Sequence, residues 1–266
     1  MYMKNAAYEV AKVFEGVERF ENRIVAFVDV MGIRSRMKNA ETPQELEMFS
    51  KLMHMYNNQP FAEDKIETIM FSDCMYLVAE PQYIKELICL LSNFAYNLLV
   101  NRTTEITLKE EGGFESNNLW DCFKLRGGIT YGKILVLDEQ AKKEKISFNS
   151  NIVLGPSVIA AYELESKQAI YPRIIVDEAF LSLLDMNQLS YEECYLVEDK
   201  NDKLYYLDFW KYMFKGKCGP VDFLIGCIKY VRKELDEAVK EENEKLVKQL
   251  KWFIEYLEDK VRCSMQ

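Results

Sequence analysis

Apolar and polar positions change period several times along this chain, and each change marks an element. Ala7, Val10, Val13, Phe14 and Val17 recur at helical spacing, so residues 5–20 predict a short amphipathic helix. Residues 23–29 are dense in β-branched and aromatic side chains and predict a strand, followed by a turn at Gly32. A helix is expected from Ser35, past the Glu41-Thr42-Pro43 break, to Tyr56. Residues 65–71 and 74–79 predict two strands folded about Ser72-Asp73. The stretch 83–100 is apolar around much of a helical circumference, whereas 101–118 is polar and reads as a loop. Residues 123–130 and 133–137 predict two further strands. After the short apolar run 151–154, Gly155-Pro156-Ser157 opens a helix through Glu165, with proline well placed at its start. Strands are expected at 173–176 and 194–197 around a helix at 178–184. Residues 204–209 should pair with 194–197 across the turn Asp199-Lys200-Asn201-Asp202. From Val221 to Val261 an apolar helical stripe opposes a charged face, with a break near 241–243, which suits a packing or dimerisation helix. The whole predicts an α+β fold.

Two of the predicted strands carry an aspartate that does not belong to their apolar pattern. Asp29 closes the run Ile24-Val25-Ala26-Phe27-Val28, and Asp73 precedes Cys74-Met75-Tyr76-Leu77-Val78. An unpaired buried carboxylate costs several kcal/mol or shifts its pKa. Either residue alone is equally well explained by a helix cap or a turn. Together they suggest neighbouring strand ends that share a cation, and oxygen ligands of this kind suit Mg²⁺ or Mn²⁺.

Composition narrows the chemistry. The net charge of −9 over 266 residues disfavours nonspecific nucleic-acid binding. No apolar run of about 18 residues is present, so no spanning helix is expected, and the N-terminus lacks a signal-peptide core. Seven cysteines, an odd number without C-x-x-C spacing, fit free thiols in a reducing compartment, and the cytoplasm is the expected location. A single histidine, His54, sits in a helical-looking stretch and reads as an ordinary helix residue. Its isolation removes Ser-His-Asp, Cys-His and His-based zinc mechanisms.

The order of motifs from residue 23 to residue 208, about seventy percent of the chain, resembles the class III nucleotidyl cyclase catalytic domain. The matching residues are Phe27-Val28-Asp29-Val30-Met31-Gly32, the hairpin Ser72-Asp73, Arg126-Gly127-Gly128-Ile129-Thr130-Tyr131-Gly132, and Gly155-Pro156-Ser157-Val158 leading to Leu164-Glu165. With Tyr171-Pro172-Arg173-Ile174-Ile175-Val176-Asp177, the pattern is most similar to the pyrimidine cyclases of bacterial Pycsar antiphage systems. The resemblance implies a ferredoxin-like catalytic domain at 21–210, between an N-terminal helix at 1–20 and a C-terminal helical extension at 211–266. That domain would hold a central, mostly antiparallel sheet with flanking helices. It implies conversion of UTP or CTP to the 3′,5′-cyclic nucleotide and pyrophosphate, with UTP the narrow choice. The product would activate a separate effector in antiphage defence. Neither a nucleic acid nor a membrane is an expected partner.

The resemblance also implies roles. Asp29 and Asp73, with the Val30 carbonyl, would hold two Mg²⁺ or Mn²⁺ ions. Ser72 and the amides of Met31, Gly32 and Ile33 would lie against the substrate, and Arg126 would contact the triphosphate. Lys200 would reach the phosphates of a site shared between two subunits of a homodimer, although Lys200 and Lys203 read more readily as solvated turn residues. Lys133 and Arg34 are further cations within reach. Tyr131, Tyr162 and Tyr171 read as core or interface aromatics. Where purine cyclases place base-reading Lys and Asp, this chain has Ile69 and Ile152; where they place a ribose-positioning Asn and a charge-stabilising Arg, it has Ile159 and Glu163. The first pair points away from purines. The second leaves open an inactive, nucleotide-binding domain. A purine cyclase and a non-enzymatic interaction module are further alternatives. A diguanylate cyclase would need a Gly-Gly-(Asp/Glu)-Glu-Phe run, which is missing.

Overall fold

The computed structural model describes residues 17–33, 37–38, 41, 46–47, 50, 53, 65–99, 102–109, 113–120, 122–137, 153–217 and 219–264; for 17–19, 102–109, 113–120 and 136–137 only the backbone is described. Strand alternation builds its centre. In β1 (Val17–Met31), Ile24, Ala26, Val28 and Val30 enter the main core, while Val25 and Phe27 join a smaller cluster on the opposite face. Asp29 continues that second row. β2 (Ile66–Phe71) and β3 (Cys74–Ala79) form a tight hairpin, and β3 pairs antiparallel with β1. α1 (Ile84–Leu99) buries Leu87, Leu91, Phe94 and Leu98 under the main-core face. β4 (Arg102–Lys109) and β5 (Gly113–Trp120) make a separate hairpin before β6 (Lys124–Leu137) returns antiparallel along the other side of β1.

Between β1 and β2, the described positions Ile33, Met37, Leu46 and Met53 are helical. The order β2-β3-β1-β6, with a helical connection after β1 and another after β3, is the ferredoxin-like βαββαβ arrangement expected from the sequence. Three short strands extend it: β7 (Ile174–Val176) parallel to β6, then β9 (Tyr205–Leu207), then β8 (Leu196–Glu198) at the edge. α2 (Pro156–Glu163) lies over the second face, and α3 (Glu178–Met186) follows β7 with Asp177 as its N-cap. α4 (Phe209–Met213) leads to the long helices α5 (Val221–Lys240) and α6 (Glu244–Ser264), which pack against each other.

Four expectations are corrected. Val17–Phe20, the end of the anticipated N-terminal helix, is strand paired with the end of β6; residues 1–16 lie outside the described set. The polar stretch 101–118 is largely the β4–β5 hairpin, because the β-branched Thr103, Thr104, Ile106 and Thr107 outweigh its polarity. The strands expected at 123–130 and 133–137 are one, running straight through Gly132, where Ser157 of α2 packs so closely that a Cβ would lie 2.6 Å from its Oγ. α2 does not continue as a regular helix to Glu165: it widens into a π-helical turn, Leu164–Gln168.

The C-terminal stripe is covered within the chain. Leu224, Cys227, Val231, Leu250, Phe253 and Leu257 are buried in one cluster with Leu164, Ile175, Tyr206 and Trp210. A buried polar knot fastens the same contact. Arg173 pairs with Asp199 and Asp202, the Trp252 indole donates to Asp199 at 2.7 Å, and Tyr256 donates to Asp208 at 2.8 Å. Packing is therefore the observed use of this stripe.

Candidate active site

Register brings the two aspartates together. Asp29 stands directly opposite Cys74 on β3 and opposite Arg126 on β6, and Asp73 precedes Cys74 at the hairpin tip. The Val30 amide donates to the Asp73 carbonyl at 3.1 Å, which ties the end of β1 to that tip. One ligand atom from each of Asp29, Asp73 and Cys74 lies within 4.8 Å of the others. Asp73 is buried and Asp29 half-buried.

Each neighbour has a physical reason for its place. Ser72 takes a positive φ of 55°, as a two-residue hairpin turn requires, although a left-handed conformation favours glycine. Gly32 has φ 85°, and the space where a Cβ would stand is open, so backbone conformation rather than crowding selects glycine there. Met31 is half-buried, Gly32 exposed and the Ile33 side chain fully buried, so Ile33 could offer a ligand only its backbone.

The Cys74 thiol donates to Asp29 Oδ1 at 3.2 Å. Burial, reinforced by that bond and by the neighbouring carboxylates, pushes the thiol well above its ordinary pKa. Arg126 places Nη2 3.6 Å from Asp29 Oδ2 and in contact with Glu165 Oε1. Its buried Nε–H has no hydrogen-bond partner among the described residues. Glu165 lies in the π-helical turn, and burial raises its carboxyl pKa against the opposing pull of Arg126. Gly128 makes this approach possible: a Cβ there would stand 2.4 Å from Leu164 Cβ and 2.9 Å from the Ala161 carbonyl.

An apolar surface adjoins the carboxylates on the same face of the sheet. Phe27 meets Tyr76 at 4.6 Å and Tyr162 at 5.5 Å between ring centroids, and Phe71 lies 6.2 Å from Tyr76. Phe71 and Tyr162 remain half-exposed there. Ile69 faces Tyr76 across the hairpin; Ile152 lies outside the described residues.

Other candidates are not brought to this centre. Lys200 is exposed in the β8–β9 turn, with β6 and β7 between that hairpin and β1, about 14 Å of sheet at the usual strand spacing. Lys203 is exposed and approaches Glu198 at 3.6 Å. Lys133 is exposed far along β6, opposite Asn22. Arg34 and His54 lie outside the described residues. Ile159 is exposed, and Glu163 pairs with Lys167 at the surface. Tyr171 is buried and stacks on Trp252, while Tyr131 is half-buried against the main core. Sequence reasoning missed the roles of Cys74 and Glu165 in this cluster. Strand pairing is the available signal for Cys74, and Leu164-Glu165 reads in the sequence only as a helix end.

Among the described residues no helix is long and apolar enough to cross a membrane. No protein-family model matches the chain, and no curated protein matches its sequence. Solved structures with a similar chain path include nucleotidyl cyclases. One is the catalytic core of a rhodopsin-guanylyl cyclase with converted specificity, in complex with ATPαS: 15% identity, 71% of this chain and 96% of that one, TM-score 0.45. Another is the monomeric guanylyl cyclase domain of the RhoGC fusion protein from the aquatic fungus Blastocladiella emersonii, at 14% identity, 70% and 94% coverage and TM-score 0.46. A bacterial light-regulated adenylyl cyclase matches at 10% identity over 79% of this chain and 100% of its own, with TM-score 0.44.

Proposed function

We propose that this chain is a nucleotidyl cyclase that converts a pyrimidine nucleoside triphosphate, UTP or CTP, to its 3′,5′-cyclic nucleotide and pyrophosphate. The observation that carries the reading is the meeting of Asp29 and Asp73 across β1 and β3, with Arg126 opposite Asp29 on β6. Two clustered carboxylates at a strand edge are hard oxygen donors suited to Mg²⁺ or Mn²⁺. Asp29, Asp73 and the Val30 carbonyl would hold such ions, which when bound polarise phosphoryl oxygens and ease ionisation of the ribose 3′-hydroxyl.

In the reaction, the 3′-oxygen forms a bond to the α-phosphorus, the bond to the β-phosphate bridge breaks, and the hydroxyl proton is lost. Negative charge spreads over phosphate oxygens throughout, so positioning and countercharge are what side chains can supply. Arg126 supplies countercharge from within the same subunit. Ser72 and the amides of Met31, Gly32 and Ile33 would receive the phosphate oxygens at the start of the helical segment after β1. Phe27, Phe71, Tyr76 and Tyr162 offer apolar and aromatic contact beside the carboxylates. Isoleucines at 69 and 152 supply none of the hydrogen-bonding groups that would read a purine edge, which supports a pyrimidine. A head-to-tail homodimer would let Lys200 of one copy approach the site of the other, and the cyclic product would act on a separate effector of antiphage defence.

Ile159 and Glu163 favour a second reading, an inactive domain that still binds nucleotide. One experiment separates the two. The protein is incubated with each of the four NTPs and Mn²⁺, and the products are resolved by liquid chromatography and mass spectrometry. Cyclic UMP or cyclic CMP is expected, and is lost in Asp29→Ala and Asp73→Ala. Cyclic AMP or cyclic GMP as main product would overturn the pyrimidine assignment. Nucleotide binding without product, unchanged in both variants, would favour the inactive domain.

A further inference from the structure

We infer that Glu165 is a positioning residue that shares the Arg126 guanidinium with Asp29 and so weakens its hold on that carboxylate, favouring a cation there. This rests on the metal-binding reading of Asp29 and Asp73 proposed above.

The geometry sets a three-way contest. Arg126 stands directly opposite Asp29 in the strand register, so its shortest route is to close on that carboxylate. It closes only partly: Nη2 forms a long ion pair with Asp29 Oδ2 at 3.6 Å and is in closer contact with Glu165 Oε1. Glu165 is only 3% exposed, far more buried than the exposed Glu–Lys pairs elsewhere on the surface. A carboxylate so buried is retained at a cost unless a partner needs it. The Arg126 Nε–H, buried and without a hydrogen-bond partner among the described residues, shows that the guanidinium is not fully satisfied where it lies. It can therefore be drawn toward a new acceptor.

The backbone places Glu165 for this task. α2 ends at Glu163, and the wider π-helical turn, Leu164–Gln168, carries Leu164 and Glu165 against β6 at Gly128. Just beyond the turn, the chain is tied to α6, where the buried Gln249 side chain donates to the Ile170 carbonyl at 2.8 Å. Without Glu165, Arg126 would pair fully with Asp29 and cancel half of the charge that the aspartates offer a metal. With it, Arg126 waits beside them until phosphate oxygens arrive.

A double-mutant cycle on Mn²⁺ affinity, read by electron paramagnetic resonance without nucleotide, tests this in the full-length protein. Glu165→Gln should weaken Mn²⁺ binding about tenfold in the wild-type background and less than about twofold when Arg126 is already Met. An equal loss in both backgrounds would mean that Glu165 acts only through its own charge or through structure, and would overturn the inference. So would an unchanged affinity in Glu165→Gln. If Glu165→Gln does not fold by circular dichroism, Glu165→Asp, which withdraws the carboxylate but keeps its charge, should show the same Arg126-dependent loss. Wild type that binds Mn²⁺ no better than an Asp29→Asn/Asp73→Asn variant would sink the metal reading itself, and this inference with it.

Discussion

Across β1 and β3, the Cys74 thiol donates its proton to Oδ1 of Asp29 at 3.2 Å. That oxygen belongs to a carboxylate proposed to hold a cation, so under that reading the thiol competes with the ion for Asp29. Thiols are weak donors. Cys74→Ala should therefore bind Mn²⁺ at least as tightly as wild type, with a gain of about twofold to fivefold. Cys74→Ser, a stronger donor, should bind less tightly than Cys74→Ala. A marked loss of affinity in Cys74→Ala would instead make the sulfur a ligand.

Asp177 gives a pH signature away from the candidate site. Its carboxylate accepts from the Phe180 amide at 2.9 Å and from the Thr130 hydroxyl at 2.5 Å, yet burial raises its pKa despite both bonds. A carboxyl with a raised folded-state pKa contributes stability below its unfolded-state value and loses it as pH climbs through the folded one. Asp177→Asn escapes that loss while keeping an acceptor for the cap. Urea melts should find it as stable as wild type or more so at pH 7, with the advantage vanishing near pH 4. Asp177→Ala should fall below Asp177→Asn by about 1 kcal/mol at neutral pH through loss of the cap.

Among the described glycines of the sheet, Gly128 leaves the least room for a side chain. An added methyl would meet Leu164 Cβ at 2.4 Å and the Ala161 carbonyl at 2.9 Å, both on the segment that leads to Glu165. Gly128→Ala should cost about 1–3 kcal/mol in equilibrium unfolding. Under the proposed function, cyclic-nucleotide formation should fall further than the fraction of folded protein explains. A fully active, fully stable Gly128→Ala would show that the contact yields freely.

The strained turn makes the opposite forecast. Ser72 holds φ 55° at the hairpin tip, and a left-handed residue other than glycine costs about 1–2 kcal/mol. Ser72→Gly relieves that strain but makes the unfolded chain more flexible, for a net gain of up to about 1 kcal/mol. Thermal denaturation monitored by circular dichroism checks the sign. A lower melting temperature would mean that the serine side chain contributes a contact worth more than the strain.

What could be read from the sequence followed from local pattern. Alternation in 24–30 and 74–79 gave β1 and β3, and with them the meeting of Asp29 and Asp73, because the residues that face each other follow once the hairpin turn is located. The stop at Ser72-Asp73 was legible for the same reason. Less legible were features set by contacts between distant segments. Gly132 looks like a strand break until Ser157 is seen packed on it. The C-terminal stripe gives no sign of which surface will cover it, and the covering residues Leu164, Ile175, Tyr206 and Trp210 come from four separate places. Glu165 was hidden most effectively. A glutamate near a helix end usually lies in solvent, and only the π-helical turn rotates this one inward.

The hydrogen bond from the Val30 amide to the Asp73 carbonyl has a mechanical consequence. It fastens the main chain of one aspartate's strand to the main chain of the other aspartate itself, beside a ladder that already runs from Ile24 to Asp29. The two carboxylates are thus mounted on a single stiff plate rather than on two loops that must find each other. Their spacing is inherited from the sheet, and a change that bends the sheet anywhere along β1 will be felt as a change in the gap between them.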